Sequence, residues 1–310
     1  MGSLILTFGV MKLLNCTTLR IEEFVGSSGL KPYAILSHRW EAEEVTYQDV
    51  VHRQALEQTA GWRKIREACR VARSKGYEYV WVDSCCINKQ DFSELTETIN
   101  SMFKWYANSA VCLAYLSDVG LDRSSMETSL WFTRGWTLQE LIAPKTVVFF
   151  DGAWNQIGTR ASFSNEIHMR THIDKNILHH DAFPEIPVET ILSEVPLARR
   201  MSWASRRITT REEDTAYSLL GIFGINMPLL YGEGSNAFMR LQTEIMKETN
   251  DMTLFAWTWC SSNPGQKSPP EYRGILATSP REFEDATDLV LSRDIKYNPE
   301  VSPRIQSAHY

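Results

Sequence analysis

Residues 33–40 read Tyr33-Ala-Ile-Leu-Ser-His-Arg-Trp40, a short apolar run that ends in polar and basic side chains. Later segments have the same apolar character: Glu78-Tyr-Val-Trp-Val-Asp83, residues 111–116 and Thr146-Val-Val-Phe-Phe150. Short apolar runs that are rich in β-branched and aromatic residues are typical of buried strands. The first half of the chain is therefore predicted to contain four strands.

Helical patterns separate these strands. Trp62, Ile65, Cys69 and Ala72 recur at helical spacing, and Gly76 marks the end of that helix. Strands that alternate with helices are typical of βαβ units and a parallel sheet.

A second helix is predicted to begin at Asp91, because Asp91 and Glu94 have the spacing of a capping box. Its apolar face is predicted to consist of Leu95, Ile99, Met102, Phe103 and Tyr106. A short third helix over residues 136–142 ends before Pro144.

The second half of the chain has mainly helical patterns. They cover residues 196–207, 214–223 and 236–248, whereas residues 254–259 have the composition of a buried strand or an aromatic cap. We therefore predict an α/β fold, in which a parallel sheet flanked by helices is followed by a mostly helical C-terminal extension.

Polar side chains follow three of the predicted strands. They are Ser37-His38-Arg39-Trp40, then Asp83-Ser84-Cys85-Cys86, then Ser117-Asp118. The carboxyl ends of parallel strands meet at one edge of a sheet, where ligands of open α/β folds bind. The sequence therefore predicts a ligand site at this edge. His38, Arg39 and Trp40 are either a loop that receives a phosphate or an ordinary exposed loop.

Residues 134–141 read Arg134-Gly-Trp-Thr-Leu-Gln-Glu-Leu141 and place Glu140 about one helical turn after Trp136. A carboxylate beside an aromatic ring suits cleavage of a glycosidic-type bond. It can orient a ribose and stabilise an oxocarbenium-like transition state, while the ring stacks on a flat base. The same segment is also compatible with a core tryptophan and a solvated glutamate.

Composition excludes several classes of protein. The 310 residues are 43% hydrophobic and 23% charged, which indicates a globular chain, and the net charge of −6 argues against a general nucleic-acid binder. The basic pairs Arg199-Arg200 and Arg206-Arg207 are predicted to be solvated. The apolar stretches are too short to predict a membrane span, and no secretory signal or paired-cysteine motif is visible, so a cytoplasmic location is expected.

Two other chemistries have weaker support. His168 and His172 have the spacing of zinc ligands on a helix, but the residue after His168 is methionine rather than a glutamate base, so no metal site is predicted. His38 with Cys85 or Cys86 has the order of a Cys/His hydrolase, although no protease signature surrounds the cysteines. Packing at a strand end is the alternative for both thiols.

Together, four ordered motifs resemble the HET domain of fungal heterokaryon incompatibility proteins. These are the quoted segments 33–40 and 134–144, together with Tyr79-Val-Trp-Val-Asp-Ser-Cys-Cys-Ile-Asn-Lys89 and Leu230-Tyr-Gly-Glu-Gly234. The family is linked to non-self recognition and programmed cell death. It often forms the N-terminal effector of a larger sensor, so the resemblance implies an upstream NLR-type sensor as a partner.

The HET domain is regarded as a distant relative of the TIR domain, which implies a TIR-like, flavodoxin-like sheet. Residues 136–141 are similar to the stretch of TIR domains that carries the glutamate essential for NAD cleavage, with Thr137 where those domains often have cysteine. By this resemblance Glu140 is the catalytic carboxylate, and NAD is a consumed substrate rather than a cofactor. TIR domains also imply self-association into an oligomer or filament.

The remaining roles follow from the same resemblance. Ser37, His38 and Arg39 are expected to line the dinucleotide pocket, and Asp83 is expected to orient that loop. Trp136 or Trp40 is expected to stack on the nicotinamide or adenine.

The expected domain organisation has four parts. Residues 1–10 form an N-terminal extension, 11–155 the TIR-like core, 156–260 a helical subdomain and 261–310 a loop-rich segment. The predicted function is that of a cell-death effector that cleaves NAD at the nicotinamide–ribose bond when it self-associates. A non-enzymatic self-assembling module and, with less support, a Cys/His hydrolase remain the alternatives.

Overall fold

A computed structural model describes residues 10–26, 29–52, 59–120, 126–183, 185–260 and 274–291. Its centre is a seven-stranded sheet with the order β2-β1-β4-β3-β5-β6-β7. The strands are β1 (Val10–Asn15), β2 (Ile21–Val25), β3 (Tyr33–His38), β4 (Tyr79–Trp81), β5 (Val111–Tyr115), β6 (Val147–Phe150) and β7 (Gln156–Thr159).

The four predicted strands form the parallel centre of this sheet. In the register, Ala34 of β3 pairs with Val80 of β4 and with Val111 of β5, and Cys112 of β5 pairs with Val147 of β6. The order β4-β3-β5-β6 agrees with the first four positions of the flavodoxin-like order. The predicted α/β class is confirmed, while the specific relation to TIR domains stays a prediction.

The two edges of the sheet differ from the predicted parallel arrangement. β7 pairs with β6 in the antiparallel sense, and the hairpin of β1 and β2 pairs with β4 through β1, also antiparallel. The hairpin was not predicted, because Lys12 and the pair Glu22-Glu23 interrupt its apolar pattern. Lys12 is 9% exposed, and its Nζ lies 2.6 Å from Glu94 Oε2, which supplies the counter-charge that a buried ammonium needs.

Four helices accompany the sheet: α1 (Tyr47–Val51), α2 (Ala60–Ser74), α3 (Phe92–Asn108) and α4 (Thr137–Ile142). The predicted stop of α2 is confirmed, since Gly76 has a φ of +87°, a conformation that glycine adopts readily. Asp91 caps α3 by accepting from the backbone N–H of Ser93 and Glu94. The other half of the predicted capping box is wrong, because Glu94 accepts from Asn88 N and pairs with Lys12 instead.

The helices that the structure describes after β7 are mostly short. They are α5 (Ser164–Thr171), α6 (Lys175–Leu178), α7 (Val188–Ser193), α8 (Leu197–Ser202), α9 (Asp214–Tyr217), α10 (Leu220–Phe223) and α11 (Asn236–Glu248). Short 3-10 helices cover Leu130–Thr133, His180–Ala182, Met252–Phe255, Pro280–Phe283 and Ala286–Asp288. Within the described ranges, no helix is both long and apolar enough to cross a membrane.

The helix predicted over residues 236–248 is confirmed at both ends. The two other helices predicted in this half are shorter, since one ends at Ser202 and the other divides into α9 and α10. The strand considered for residues 254–259 is wrong, because Leu254 lies buried in a 3-10 helix. The N-terminal extension falls almost wholly outside the described residues, as does much of the segment 261–310.

Contacts with α3 join the second half to the sheet. Asn100 Nδ2 donates to Met227 O at 3.2 Å, and Met227 N donates to Asn100 Oδ1 at 3.0 Å. Gly221 of α10 lies against Phe103, where a side chain has no room. The second half is therefore packed onto the helix that also borders the carboxyl edge of the sheet.

We expect Gly221→Ala to destabilise the protein, because the added Cβ would lie 2.0 Å from Phe103 Cβ. Overpacking of this kind costs about 1–3 kcal/mol, which urea denaturation would detect. Gly274→Ala is the matched control, since a Cβ there meets nothing within 4 Å and should leave the midpoint near that of the wild type. Equal midpoints for Gly221→Ala and the wild type would contradict the packing of α10 on α3.

Candidate functional site

A cavity of about 360 Å³ lies at the carboxyl edge of the parallel strands. It is lined by His38, Trp40, Asp83, Ile87, Lys89, Leu95, Ile99, Met102, Arg134, Trp136, Thr137, Glu140, Thr210, Arg211, Asp214 and Tyr231. These residues come from the strand ends, from α3 and α4, and from the second half of the chain. The structure therefore has a cavity at the edge of the sheet where the sequence predicts a ligand site.

Glu140 reaches this cavity from the first turn of α4. Thr137 holds the start of the helix, since its Oγ1 lies within hydrogen-bond distance of two carbonyl oxygens, 2.6 Å from Trp131 O and 2.9 Å from Arg134 O. Glu140 is 3% exposed, and Ser37 Oγ donates a short hydrogen bond to its Oε2. Trp131 Nε1 donates to the same Ser37 Oγ at 2.9 Å. The carboxyl group is thus fixed by β3 and by the indole of Trp131.

Burial raises the pKa of Glu140 to about 8, and the nearby charge of Asp83 acts in the same direction. Hydrogen bonds from Ser37 and Tyr106 and the positive charge of Arg207 oppose this rise. Glu140 is therefore mostly protonated at neutral pH when the cavity is empty. A cation that enters the cavity would favour the ionised form.

Arg207 is a half-buried cation of the site that the sequence pattern does not indicate. Its Nη1 donates to Arg134 O at 2.8 Å and to Thr137 Oγ1 at 2.9 Å, so the guanidinium supports the start of α4. Burial lowers the pKa of Arg207 to about 9, while the neighbouring Glu140 raises it. The prediction of a solvated pair is right for Arg206, whose side chain is 61% exposed, and wrong for Arg207.

His38 lies between two carboxylates. Its Nε2 is 3.4 Å from Glu44 Oε2, and its Nδ1 is 3.8 Å from Asp83 Oδ1. Burial alone would raise the pKa of Glu44, but His38 and Lys64 outweigh it and hold that pKa at about 2. Lys64 Nζ lies 2.5 Å from Glu44 Oε1. The imidazole at the end of β3 thus has a carboxylate within 4 Å of each ring nitrogen, and neither nitrogen is hydrogen-bonded to a described residue.

Two tryptophans offer faces for stacking. Trp40 is 45% exposed, its Nε1 donates to Asp83 Oδ2 at 2.7 Å, and Lys89 Nζ lies 3.4 Å from its ring centroid. Trp136 is half-buried and hydrogen-bonds to Asp214. Asp214 also accepts from Tyr231 at 3.0 Å, so the second half of the chain positions Trp136.

The structure brings five of the seven predicted site residues to the cavity lining: His38, Trp40, Asp83, Trp136 and Glu140. Ser37 is fully buried behind Glu140, and Arg39 is half-buried and does not belong to the lining. Arg134 and Arg211 are the arginines that line the cavity, and neither was singled out from the sequence. The positions of both arginines depend on the loop after α8. The polar residues at the strand ends, from which the site was predicted, give no information about that loop.

The environment of Cys85 and Cys86 does not suit a nucleophile. Both thiols are buried, and a hydrogen bond with Cys86 together with burial holds the pKa of Cys85 well above its usual value. Reactive cysteines need a lowered pKa. His168 Nδ1 lies 2.8 Å from Ile173 O, and His172 ends α5 with a φ of 56°. Across the described ranges, no three potential metal ligands cluster.

Comparisons with known proteins give two family matches. Residues 33–126 match the heterokaryon incompatibility protein (HET) family, and residues 236–297 match a domain of unknown function, DUF8212. The chain is similar to the vegetative incompatibility protein HET-E-1 of Podospora anserina, with 43% identity over 235 residues. This covers 72% of the chain but 17% of the relative. No solved structure matches the chain.

The raised pKa of Glu140 predicts that stability depends on pH. Between the unfolded pKa of about 4.3 and the folded value near 8, the native state keeps a proton that the unfolded state loses, so the carboxyl group destabilises the fold increasingly as pH rises. Glu140→Gln removes this effect. We expect its urea midpoint, relative to the wild type, to be higher at pH 8 than at pH 5.

The exposed Glu78→Gln variant is the control for that comparison. Its midpoint relative to the wild type should be the same at pH 5 and pH 8. A Glu140→Gln difference that is equally independent of pH would show that the buried carboxyl group is ionised throughout this range.

Proposed function

The chain carries a HET domain of the fungal heterokaryon incompatibility family, and we propose that it is a cell-death effector that cleaves NAD at the nicotinamide–ribose bond. The similarity to a vegetative incompatibility protein supports the role in incompatibility. Glu140 carries the proposed chemistry, because it is a buried carboxyl group that borders a cavity lined by two tryptophans.

The proposed reaction needs one negative charge close to the ribose of NAD. When the bond between nicotinamide nitrogen and ribose C1′ breaks, its electron pair leaves with nicotinamide, which becomes neutral. Positive charge then develops on C1′ and the ring oxygen. Ionised Glu140 stabilises that charge and hydrogen-bonds the ribose hydroxyls. Water then adds to C1′ and loses a proton, which gives ADP-ribose.

The raised pKa of Glu140 fits this role. A buried carboxylate has few competing contacts with water, so its charge acts strongly on a neighbouring cation. The nicotinamide ring of NAD carries a positive charge, and its entry would favour the ionised form of Glu140. Ser37 then holds the carboxylate through its hydrogen bond to Oε2.

The cavity is at the lower end of the volume range of small-molecule sites, about 300–1,000 Å³. It suits nicotinamide and its ribose, with Trp136 or Trp40 against a ring. Because Lys89 covers one face of Trp40, a base would use the other face or displace the ammonium group. Arg134 and Arg211 line the cavity and would bind the phosphates.

Assembly and upstream control belong to the proposal as well. The matched region covers 17% of HET-E-1, so a longer protein can carry such a domain, and we expect an upstream sensor to control it. In TIR domains a neighbouring copy completes the NAD pocket, and we expect self-association to do the same here. The rate of NAD loss would then rise more steeply than protein concentration.

A non-enzymatic signalling module is the second candidate function. It is favoured by one observation: Glu140 is 3% exposed and its carboxyl group is already hydrogen-bonded within the protein. In that case Glu140 would be structural, and assembly would require surface residues only.

NAD consumption by the purified chain separates the two functions. Wild type, Glu140→Gln and the control Glu78→Gln are compared over a range of protein concentrations with a crowding agent. We expect wild type and the control to release nicotinamide, and Glu140→Gln to be slower by about 10²–10³-fold, as when one charge-stabilising group is lost from an active site. Self-association without NAD loss at any concentration would support the signalling module instead.

The pH dependence of the reaction is a further prediction. Because the ionised form of Glu140 is the active one and the pKa in the free protein is about 8, kcat/KM should rise from pH 6 to 8 and level off above pH 9. Initial rates at low NAD concentration measure this profile. A constant or falling kcat/KM over the same range would contradict the role given to Glu140.

A further inference from the structure

A second cavity, of about 390 Å³, lies between the 3-10 helix Leu130–Thr133, α5 and α8. Among the described residues, none that lines this cavity also lines the cavity of Glu140. Its basic side chains are Arg170, His172, Arg206 and Arg207. We propose that it binds a small molecule with a phosphate or pyrophosphate group, which Arg170, Arg206 and Arg207 hold. This proposal does not depend on NAD cleavage.

Arg207 provides the strongest argument for an anion. Its Nε donates to Trp203 O at 3.3 Å, and its Nη1 donates to Arg134 O and Thr137 Oγ1. Its Nη2 is buried and has no hydrogen-bond partner in the part of the chain that the structure describes. A buried donor without an acceptor is costly, and a phosphate oxygen is a strong acceptor for a guanidinium group.

The charge of Arg207 also lacks a full counter-charge. The carboxyl group that interacts with it is Glu140, whose pKa is about 8, so Glu140 carries little negative charge at neutral pH. The second arginine, Arg170, lies 5.8 Å from the ring centroid of Phe132 and makes no ion pair with another described residue. Two guanidinium groups of this cavity are therefore open to an anion.

The third arginine, Arg206, is held only by a weak ion pair with Glu284. Its Nε lies 2.7 Å from Glu284 Oε1, and the side chain of Arg206 is 61% exposed to solvent while that of Glu284 is half-buried. Surface ion pairs of this kind contribute little to stability, so Arg206 can turn towards a ligand at small cost. With it the cavity offers three guanidinium groups. Arg170 and Arg206 can each bind two phosphate oxygens, whereas Arg207 offers its Nη2.

Four of the five hydroxyl groups in the lining are already used as donors, that of Thr133 towards Leu130 O. Ser202 Oγ donates to Arg199 O, Ser205 Oγ to Ser202 O and Thr171 Oγ1 to Ile167 O. Binding must therefore come from the arginines rather than from serine or threonine. The acidic residues Glu127 and Glu166 also line the cavity and limit its positive charge, so a compact phosphate fits better than an extended polyanion.

Pyrophosphate is the probe for this site. It is titrated into the full chain by calorimetry at constant ionic strength, with sodium chloride as the balancing salt. The test variant is Arg170→Gln with Arg206→Gln. The control is Arg70→Gln with Arg73→Gln, two exposed arginines of α2 that line neither cavity.

We expect saturable binding to the wild type and to the control, and at least tenfold weaker binding to the test variant. Arg207→Lys, which keeps the charge but loses the guanidinium, should also weaken binding. Thermal unfolding without ligand shows that each variant is folded. Unchanged affinity in the test variant, or no saturable binding to the wild type at millimolar pyrophosphate, would overturn the proposal.

Arg134→Gln with Arg211→Gln distinguishes the two cavities. These arginines line the cavity of Glu140, and their loss should leave the second site intact. If this variant alone lost pyrophosphate binding, the anion would belong to the first cavity and the assignment of the second would be wrong. NAD cleavage plays no part in any of these outcomes, so the two proposals can fail separately.

Discussion

The site depends on one buried carboxyl group. Glu140 is held by Ser37, whose hydroxyl also accepts from Trp131, and these contacts join α4 to β3 beneath the cavity. Burial makes the neutral form of Glu140 favourable in the empty cavity, and the pKa of about 8 is close enough to neutrality for a bound cation to reverse that preference. The same property makes the group suited to chemistry in which positive charge develops.

This arrangement requires both halves of the chain. The strand ends supply His38 and Asp83, but Arg207 supports the start of α4 from the loop after α8, and Asp214 positions Trp136 from α9. A parallel sheet alone would leave the carboxyl group without the half-buried cation beside it. The helical second half is therefore part of the site and also its cover.

Much of this architecture could be predicted from local pattern. The four parallel strands are short apolar runs, and their polar ends meet because parallel strands share a carboxyl edge. The hairpin of β1 and β2 could not be predicted in the same way. Lys12 interrupts its pattern and is tolerated because Glu94 pairs with it, and Glu22 is held by Tyr79 Oη at 2.7 Å. Such partners are distant in sequence.

The residues of the site also differ in whether local sequence pattern predicts them. Glu140 and Trp136 can be predicted because both belong to one motif and lie within one helical turn of each other. Arg207 is predicted to be solvated because its acceptors, Arg134 O and Thr137 Oγ1, lie about 70 residues away in the sequence. The sequence predicts Arg39 as the phosphate ligand because it is the arginine next to a strand end. Arg134 and Arg211 line the cavity because of how the chain returns from α8 to α9.

In the proposed reaction, Glu140 is a buried acid that ionises when a nicotinamide-like cation binds beside it. Carbon-13 NMR of glutamate-labelled protein measures this ionisation, with the signal of Glu140 identified by its absence in Glu140→Gln. We expect a titration near pH 8 in the free protein and a shift to lower pH when 1-methylnicotinamide is added. A signal that titrates near the ordinary glutamate value of about 4.3, or one that the cation does not affect, would contradict it.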